Sequence, residues 1–303
     1  MTRLPVISFR PSAPAAIRTE LSRAGDLLEK SGVENPRLDA EHLLAHCLGT
    51  ERGRLYLDPD RVLTTGESER FWELLEERRD RRPLAYIRGW AGFYSLVLKT
   101  DARALIPRPE SELLIDRALA ILEGCRSRPP EVVDLGCGCG TLALALAKEA
   151  PGVVIRASDI SGAALDLARE NAVSLGLADA VSFRPGDLFS PWEDRRPAGF
   201  DLVVANPPYL SDREWEEAPP EVRRHEPAEA LRGGPDGLGV IRRIVRESPR
   251  YLKPGGVLLF EIGAAQGAAA RALVESVEGF AFVEIIRDYS GRDRVVAAGK
   301  NAT

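Results

Sequence analysis

The chain has 303 residues, 44% of them apolar, and a net charge of −5 with an isoelectric point near 5.5. That length allows one large or two smaller domains around an ordinary core, and the acidic balance predicts no general electrostatic grip on nucleic acid. Four cysteines, at 47, 125, 137 and 139, are too few and too scattered for a disulfide framework, and the sequence has no run of about 18 apolar residues to span a membrane, so a reducing cytoplasm is expected.

Residues 1–16 are rich in proline, without the apolar stretch of a signal peptide, and read as a flexible tail. From 17 to 82 the spacing is helical: Ile17, Leu21, Ala24, Leu27 and Leu28 form one stripe, and Leu38, His42, Leu43, Leu44 and Cys47 a second after Asn35-Pro36. Phe71, Trp72, Leu74 and Leu75 belong to a third helix starting near Gly66. His42 and His46 stand four apart but lack the companion ligands of a metal site, and His225 is far away in sequence. Packing is their expected role, and no metal is expected anywhere.

The period changes over 83–104. Tyr86, Phe93, Tyr94, Leu96 and Leu98, with Gly89 and Gly92 between, predict a β-hairpin linking two domains. Pro107 and Pro109 then hold Arg108 in an extended arm before an amphipathic helix, Leu113 to Leu122. That arm feeds the first strand of the 105–303 domain and is placed to roof a ligand.

Strands and helices alternate from there. A strand beginning Val132-Val133 ends at Leu135 and leads into a glycine turn, Asp134-Leu135-Gly136-Cys137-Gly138-Cys139-Gly140, before a helix from Leu142 to Lys148. Glycines let the backbone approach a ligand and adopt positive φ. The dinucleotide fingerprint asks for a third glycine at position 141, which is Thr. The next strand, Val153–Asp159, ends in an acid set to accept hydrogen bonds from ribose hydroxyls. A third, Val181–Arg184, leads to Gly186-Asp187-Leu188. Phe200–Ala205 reads as a buried parallel strand. At its C-terminal end, where open α/β sheets bind ligands, stands Asn206-Pro207-Pro208-Tyr209. The Asn206 oxygen and the Pro207 carbonyl are two acceptors on a stiff loop, and Tyr209 can lie against a planar group. Together they describe a clamp for a planar amino group, an amide or the exocyclic amine of a base. Gly256–Ile262 is a fifth strand, followed by a helix (Gln266–Val277) and an antiparallel pair, Ala281–Arg287 and Arg294–Ala298.

This order of strand tips resembles class I S-adenosylmethionine-dependent methyltransferases, and the chain is similar to the HemK/PrmC family of release-factor glutamine N5-methyltransferases. The likeness covers about residues 17–299. Besides the glycine turn and the clamp it rests on Arg82–Ile87, Leu105–Glu110, Glu226–Leu231, Gly233–Leu238, Phe260–Gly263 and Gly291–Arg294. It implies an α/β fold with a Rossmann-like seven-stranded sheet and a small N-terminal helical domain that docks the substrate. It also implies S-adenosylmethionine as cofactor and methylation of the glutamine amide in the Gly-Gly-Gln motif of class 1 peptide-chain release factors. Gly136, Cys137, Gly138, Cys139, Gly140, Asp159, Asp187, Leu188 and Asn206 would then face the cofactor. Asn206, Pro207, Pro208 and Tyr209 would hold the substrate and carry catalysis. Relatives often carry an aromatic residue beside adenine where this chain has Leu188, which leaves Leu188 and Phe189 as the two candidates for that contact. The alternative is a nucleic-acid amino-methyltransferase acting on adenine N6 or guanine N2, whose exocyclic amine suits the same clamp. The acidic charge and the lack of an inserted target-recognition domain argue against it.

Overall fold

A computed structural model of the chain describes residues 13–125, 129–195 and 199–302. They fall into two compact units, divided between Arg88 and Gly89.

The first unit is helical: α1 (Ile17–Lys30), α2 (Pro36–Cys47), α3 (Thr65–Arg79) and the short α4 (Leu84–Arg88). Leu21, Leu28, Leu43, Leu44, Phe71 and Leu75 close its core at 2% exposure or less. Each such side chain contributes roughly 1.5–3 kcal/mol of transfer free energy. Helix α3 starts one residue before Gly66 because Thr64 and Glu67 form a reciprocal capping box. Buried acids are paired inside the unit. Glu20 accepts from the Trp72 indole N–H at 2.9 Å and Asp39 accepts from Arg78 at 2.7 Å. His42 lies 3.5 Å from the Arg88 guanidinium, and burial lowers the pKa of His42 and His46.

Two local expectations are corrected. Residues 1–12 of the expected tail lie outside the described residues, but Ala15 and Ala16 are fixed: Leu63 N–H donates to the Ala15 carbonyl at 3.1 Å and Ala16 bridges Val62. The hairpin is also shorter than 83–104. It consists of β1 (Trp90–Phe93) and β2 (Leu96–Lys99), while Leu84–Arg88 is helical after Pro83 and stops at Gly89, which has φ +79°. A five-residue helix is too short to display a 3.6-residue period, and a glycine at positive φ is a common helix stop.

In the second unit the chain continues through α5 (Glu112–Glu123), β3 (Glu131–Leu135), α6 (Thr141–Glu149), β4 (Val154–Asp159), α7 (Gly162–Ser174), β5 (Val181–Pro185) and β6 (Phe200–Ala205). Then come α8 (Asp212–Glu217), α9 (Pro220–His225), α10 (Gly239–Tyr251), β7 (Leu252–Glu261), α11 (Gly267–Glu275), β8 (Phe280–Arg287) and β9 (Asp293–Lys300). The sheet runs β5-β4-β3-β6-β7-β9-β8, with β9 antiparallel to both neighbours and the other pairs parallel. This is the class I methyltransferase sheet that the resemblance implied. Alternate residues of one strand serve opposite faces. Val132, Leu202 and Val204 pack with α5 and α6, whereas Val133, Val203 and Ala205 pack with α10 and α11. From β3 the chain winds outward through β4 and β5, then returns to β6 on the other flank. The crevice between the ends of β3 and β6 is therefore the topological switch point where such sheets hold ligands.

Candidate active site

The glycine turn follows β3 directly. Gly136, Gly138 and Gly140 have φ of +72°, +56° and +88°. A Cβ on Gly140 would also stand 2.8 Å from Leu144. The turn is fastened from below, where the Gly136 and Cys137 N–H groups both donate to the Ser158 carbonyl of β4. Asp159, at the tip of β4, accepts from Gly138 N–H and Ser161 N–H, each at 2.8 Å. Both of its oxygens keep lone pairs for a ligand, and burial raises its pKa. Asp159 therefore shapes the loop as well as offering acceptors.

Asp134 is 1% exposed. Its Oδ2 accepts from Ala143 N–H at 3.0 Å at the start of α6, while Oδ1 has no partner among the described residues. Burial, with some help from the Asp159 charge, pushes its carboxyl up to about 7. Asp134 lines a cleft together with Gly136–Cys139, the Leu105–Arg108 arm and Asn206. The arm is held by buried Glu226, which accepts from Arg108 at 2.5 Å and from Ile106 N–H at 3.2 Å. Cys137 and Cys139 are buried, and burial raises both thiols, Cys139 to about 11. They line the cleft as neutral thiols and are unsuited to nucleophilic work.

The residues after β5 stand differently. Asp187 is half exposed and paired with Arg243 at 2.6 Å. Leu188 has φ +49°, accepts from the Ser158 hydroxyl on its carbonyl, and packs its side chain on the α10 face of the sheet. Phe189 does not take the place of an aromatic residue beside adenine. It is fully buried and stacked on Tyr251 at 4.2 Å, because this position points into the core.

The clamp leaves β6 at Ala205. Asn206 Nδ2 donates to Ser111 Oγ at 2.9 Å, Ser111 Oγ donates to Glu261 Oε2 at 2.5 Å, and Tyr209 OH donates to Glu261 Oε1 at 3.0 Å. Among the described residues no donor reaches Asn206 Oδ1 or the Pro207 carbonyl. Burial and the Glu261 charge raise the Tyr209 pKa, so its hydroxyl stays protonated. The loop is pinned from behind. Gln266 donates to the Tyr209 carbonyl at 2.9 Å, and a Cβ on Gly237 (φ +73°) would stand 2.2 Å from that oxygen. A Cβ on Gly233 would stand 2.6 Å from the Pro208 carbonyl.

Ser111, Glu226, Glu261 and Gln266 were not read as site residues, although Glu226 and Glu261 stand in motifs that carry the family resemblance. Glu261 also ends an otherwise apolar strand, and an acid in a buried strand needs partners. Among the described residues no cluster of His, Cys, Asp and Glu is arranged for a metal ion, and no helix is long and apolar enough to cross a membrane.

Two family models match the chain, the PrmC N-terminal domain over residues 20–89 and the methyltransferase small domain over residues 111–221. The release factor glutamine methyltransferase of Rhodopirellula baltica is 38% identical over 289 residues, covering 95% of this chain and 97% of that protein. The protein of the same name from Chlorobaculum tepidum is 41% identical over 266 residues, covering 86% and 90%. In three dimensions the catalytic domain of hMettl16, solved with an RNA hairpin, superposes with a TM-score of 0.55 at 15% identity, over 80% of this chain and 85% of that one. At that identity the likeness speaks for the fold alone.

Proposed function

The chain belongs to the release factor glutamine methyltransferase family, and from that membership we propose that it methylates the side-chain amide nitrogen (N5) of the glutamine in the Gly-Gly-Gln motif of class 1 peptide-chain release factors. The observation that carries this reading is the pair of open acceptors, Asn206 Oδ1 and the Pro207 carbonyl, at the end of β6 beside the cleft.

S-adenosylmethionine is the cofactor, and when bound it supplies a methyl group activated by positive sulfur. The donor set fits it. Positive-φ glycines give the close approach, Asp159 has free lone pairs for ribose hydroxyls, and the partnerless Asp134 Oδ1 is a buried acceptor beside the cleft for a positively charged ligand. The Leu105–Arg108 arm, held by Glu226, forms one wall of the cleft.

The substrate amide nitrogen is a poor nucleophile because its lone pair is delocalised into its carbonyl. Asn206 Oδ1 and the Pro207 carbonyl accept its two N–H groups and fix the direction of the nitrogen, so alignment supplies the rate. The Tyr209 ring, half-buried, walls the amide plane. The amide proton becomes acidic only as the new bond forms, so the site needs no strong base, and the raised thiols of Cys137 and Cys139 offer none. The first unit docks the protein substrate in this reading. Its support is an exposed apolar set in that unit, Tyr56, Leu57 and Val62. A release-factor substrate puts the reaction in the cytoplasm.

The test is incubation with labelled S-adenosylmethionine and a purified class 1 release factor, followed by peptide mass mapping. Label on the Gly-Gly-Gln glutamine is expected. Label in DNA adenine or RNA guanine, with none in the release factor, would overturn the proposal.

A further inference from the structure

Asn206 can serve as an acceptor only if its amide faces the right way. An amide oxygen and NH2 group differ little in shape, so contacts must choose between two orientations. Here the choice comes from a chain of hydrogen bonds that starts at Glu261. Both Glu261 oxygens accept, one from Ser111 and one from Tyr209. A serine hydroxyl has one proton, and the Ser111 proton is committed to Glu261 at 2.5 Å. Toward Asn206, Ser111 therefore offers only lone pairs. Asn206 must answer with its NH2 group, at 2.9 Å, and turn Oδ1 away from Ser111.

From this polarity we infer that Ser111 and Glu261 are positioning residues, which orient the Asn206 amide so that its oxygen receives the substrate N–H. The inference rests on the methyl-transfer reading for its consequence, though the hydrogen-bond order itself does not. The two residues lie 95 and 150 positions from their partners, and both are 1% exposed or less, so water does not compete for these bonds. Without the carboxylate, the Ser111 hydroxyl could rotate and donate to Asn206 Oδ1. The amide would turn over and meet a substrate N–H with a donor.

Three variants test this: Ser111→Ala, Glu261→Met and Glu261→Gln. The first removes the acceptor for Asn206, and the second frees the Ser111 proton. The third keeps an oxygen able to accept from Ser111. Single-turnover rates on a purified release factor, at saturating cofactor, should fall roughly tenfold to a hundredfold for Ser111→Ala and Glu261→Met. Release-factor KM and S-adenosylmethionine affinity should stay within about twofold, since alignment is what is lost. Glu261→Gln should recover most of the rate. A second measurement does not depend on turnover. In 15N-labelled protein, one Asn206 side-chain NH2 proton should be protected from solvent exchange, and both Ser111→Ala and Glu261→Met should remove that protection. Wild-type rates in the first two variants would overturn the inference, and so would equal losses in Glu261→Met and Glu261→Gln. If the wild-type protein leaves the release factor unlabelled, the functional reading fails by itself. The exchange measurement then decides the orientation: an unprotected Asn206 amide in the wild type refutes it.

Discussion

Asp134→Asn is the most informative single substitution for the cofactor cleft. The Asp134 carboxyl is buried with one partnerless oxygen, and its pKa is pushed up to about 7 from an ordinary 3.8. The folded protein thus keeps this proton between about pH 4 and pH 7, where the unfolded chain has lost it. The stabilisation is full below pH 4 and declines as pH rises through that window. At roughly 1.4 kcal/mol per unit the whole decline is about 4 kcal/mol, of which about 3 kcal/mol falls between pH 5 and pH 8. Asparagine carries no charge and keeps an oxygen for the Ala143 N–H, so its contribution does not change with pH. Scanning calorimetry of the full chain should follow the transition that moves with S-adenosylmethionine, which marks the second unit. Between pH 5 and pH 8 that transition should drop on the order of 5–10 °C further in wild type than in Asp134→Asn. Saturating cofactor should shrink the difference, because a positively charged ligand stabilises the ionised form, and binding near pH 6.5 should release a proton in wild type alone. Parallel pH profiles for the two proteins would refute the reasoning, for they would mean that Asp134 is ionised throughout.

Asp159→Ala removes the acceptor for Gly138 and Ser161 as well as for ribose, so calorimetric titration should show cofactor affinity weakened at least about tenfold, one charged hydrogen bond being worth roughly 1.5–3 kcal/mol. An unchanged dissociation constant would remove Asp159 from the cofactor site. Asn206→Asp should be as inactive as Asn206→Ala in single turnover, because a carboxylate has no proton to give Ser111; substantial retained activity in the Asp variant would break that logic. Gly237→Ala forces a side chain into a left-handed backbone 2.2 Å from the Tyr209 carbonyl. It should cost at least about 1–2 kcal/mol from the backbone alone and depress turnover more than cofactor affinity, and wild-type melting and rates together would contradict it.

The sequence displayed the central strands well because strands covered by helices on both faces must be mostly apolar, and Val132–Leu135 and Phe200–Ala205 each carry a single acid among apolar residues. It also displayed the two ligand loops, since the glycine turn and Asn206–Tyr209 announce themselves by local composition. What escaped was whatever depends on distant pairing. Nothing near Ser111 says that Glu261 lies 2.5 Å away. Nor does any local pattern tell that Phe189 turns inward onto Tyr251. The residues around Pro83 misled for a different reason. Tyr86, Phe93, Tyr94, Leu96 and Leu98 were read together as one hairpin, but Gly89 divides a helical turn from the hairpin. The packing of Gly233 and Gly237 against the Pro208 and Tyr209 carbonyls was invisible too, because those carbonyls belong to a distant segment.

The place of β9 inside the sheet bears on how the protein is made. Among the described residues β8 pairs with β9 and with no other strand, and β9 is also what covers the flank of β7. During synthesis β7 and β8 both leave the ribosome before their common neighbour. At typical elongation rates the interval is on the order of seconds. For that time β7, with Leu258 and Phe260, presents a bare row of backbone donors and acceptors, and β8 has no ladder to join. Open strand edges of this kind are templates for pairing with other chains. A nascent chain stalled between Glu261 and Asp293 would already hold every residue of the Asn206–Ser111–Glu261 network, yet its chief hazard would be edge-to-edge association with its neighbours. Arrival of Val295 and Val296, fully buried in the finished sheet, is the event that ends it.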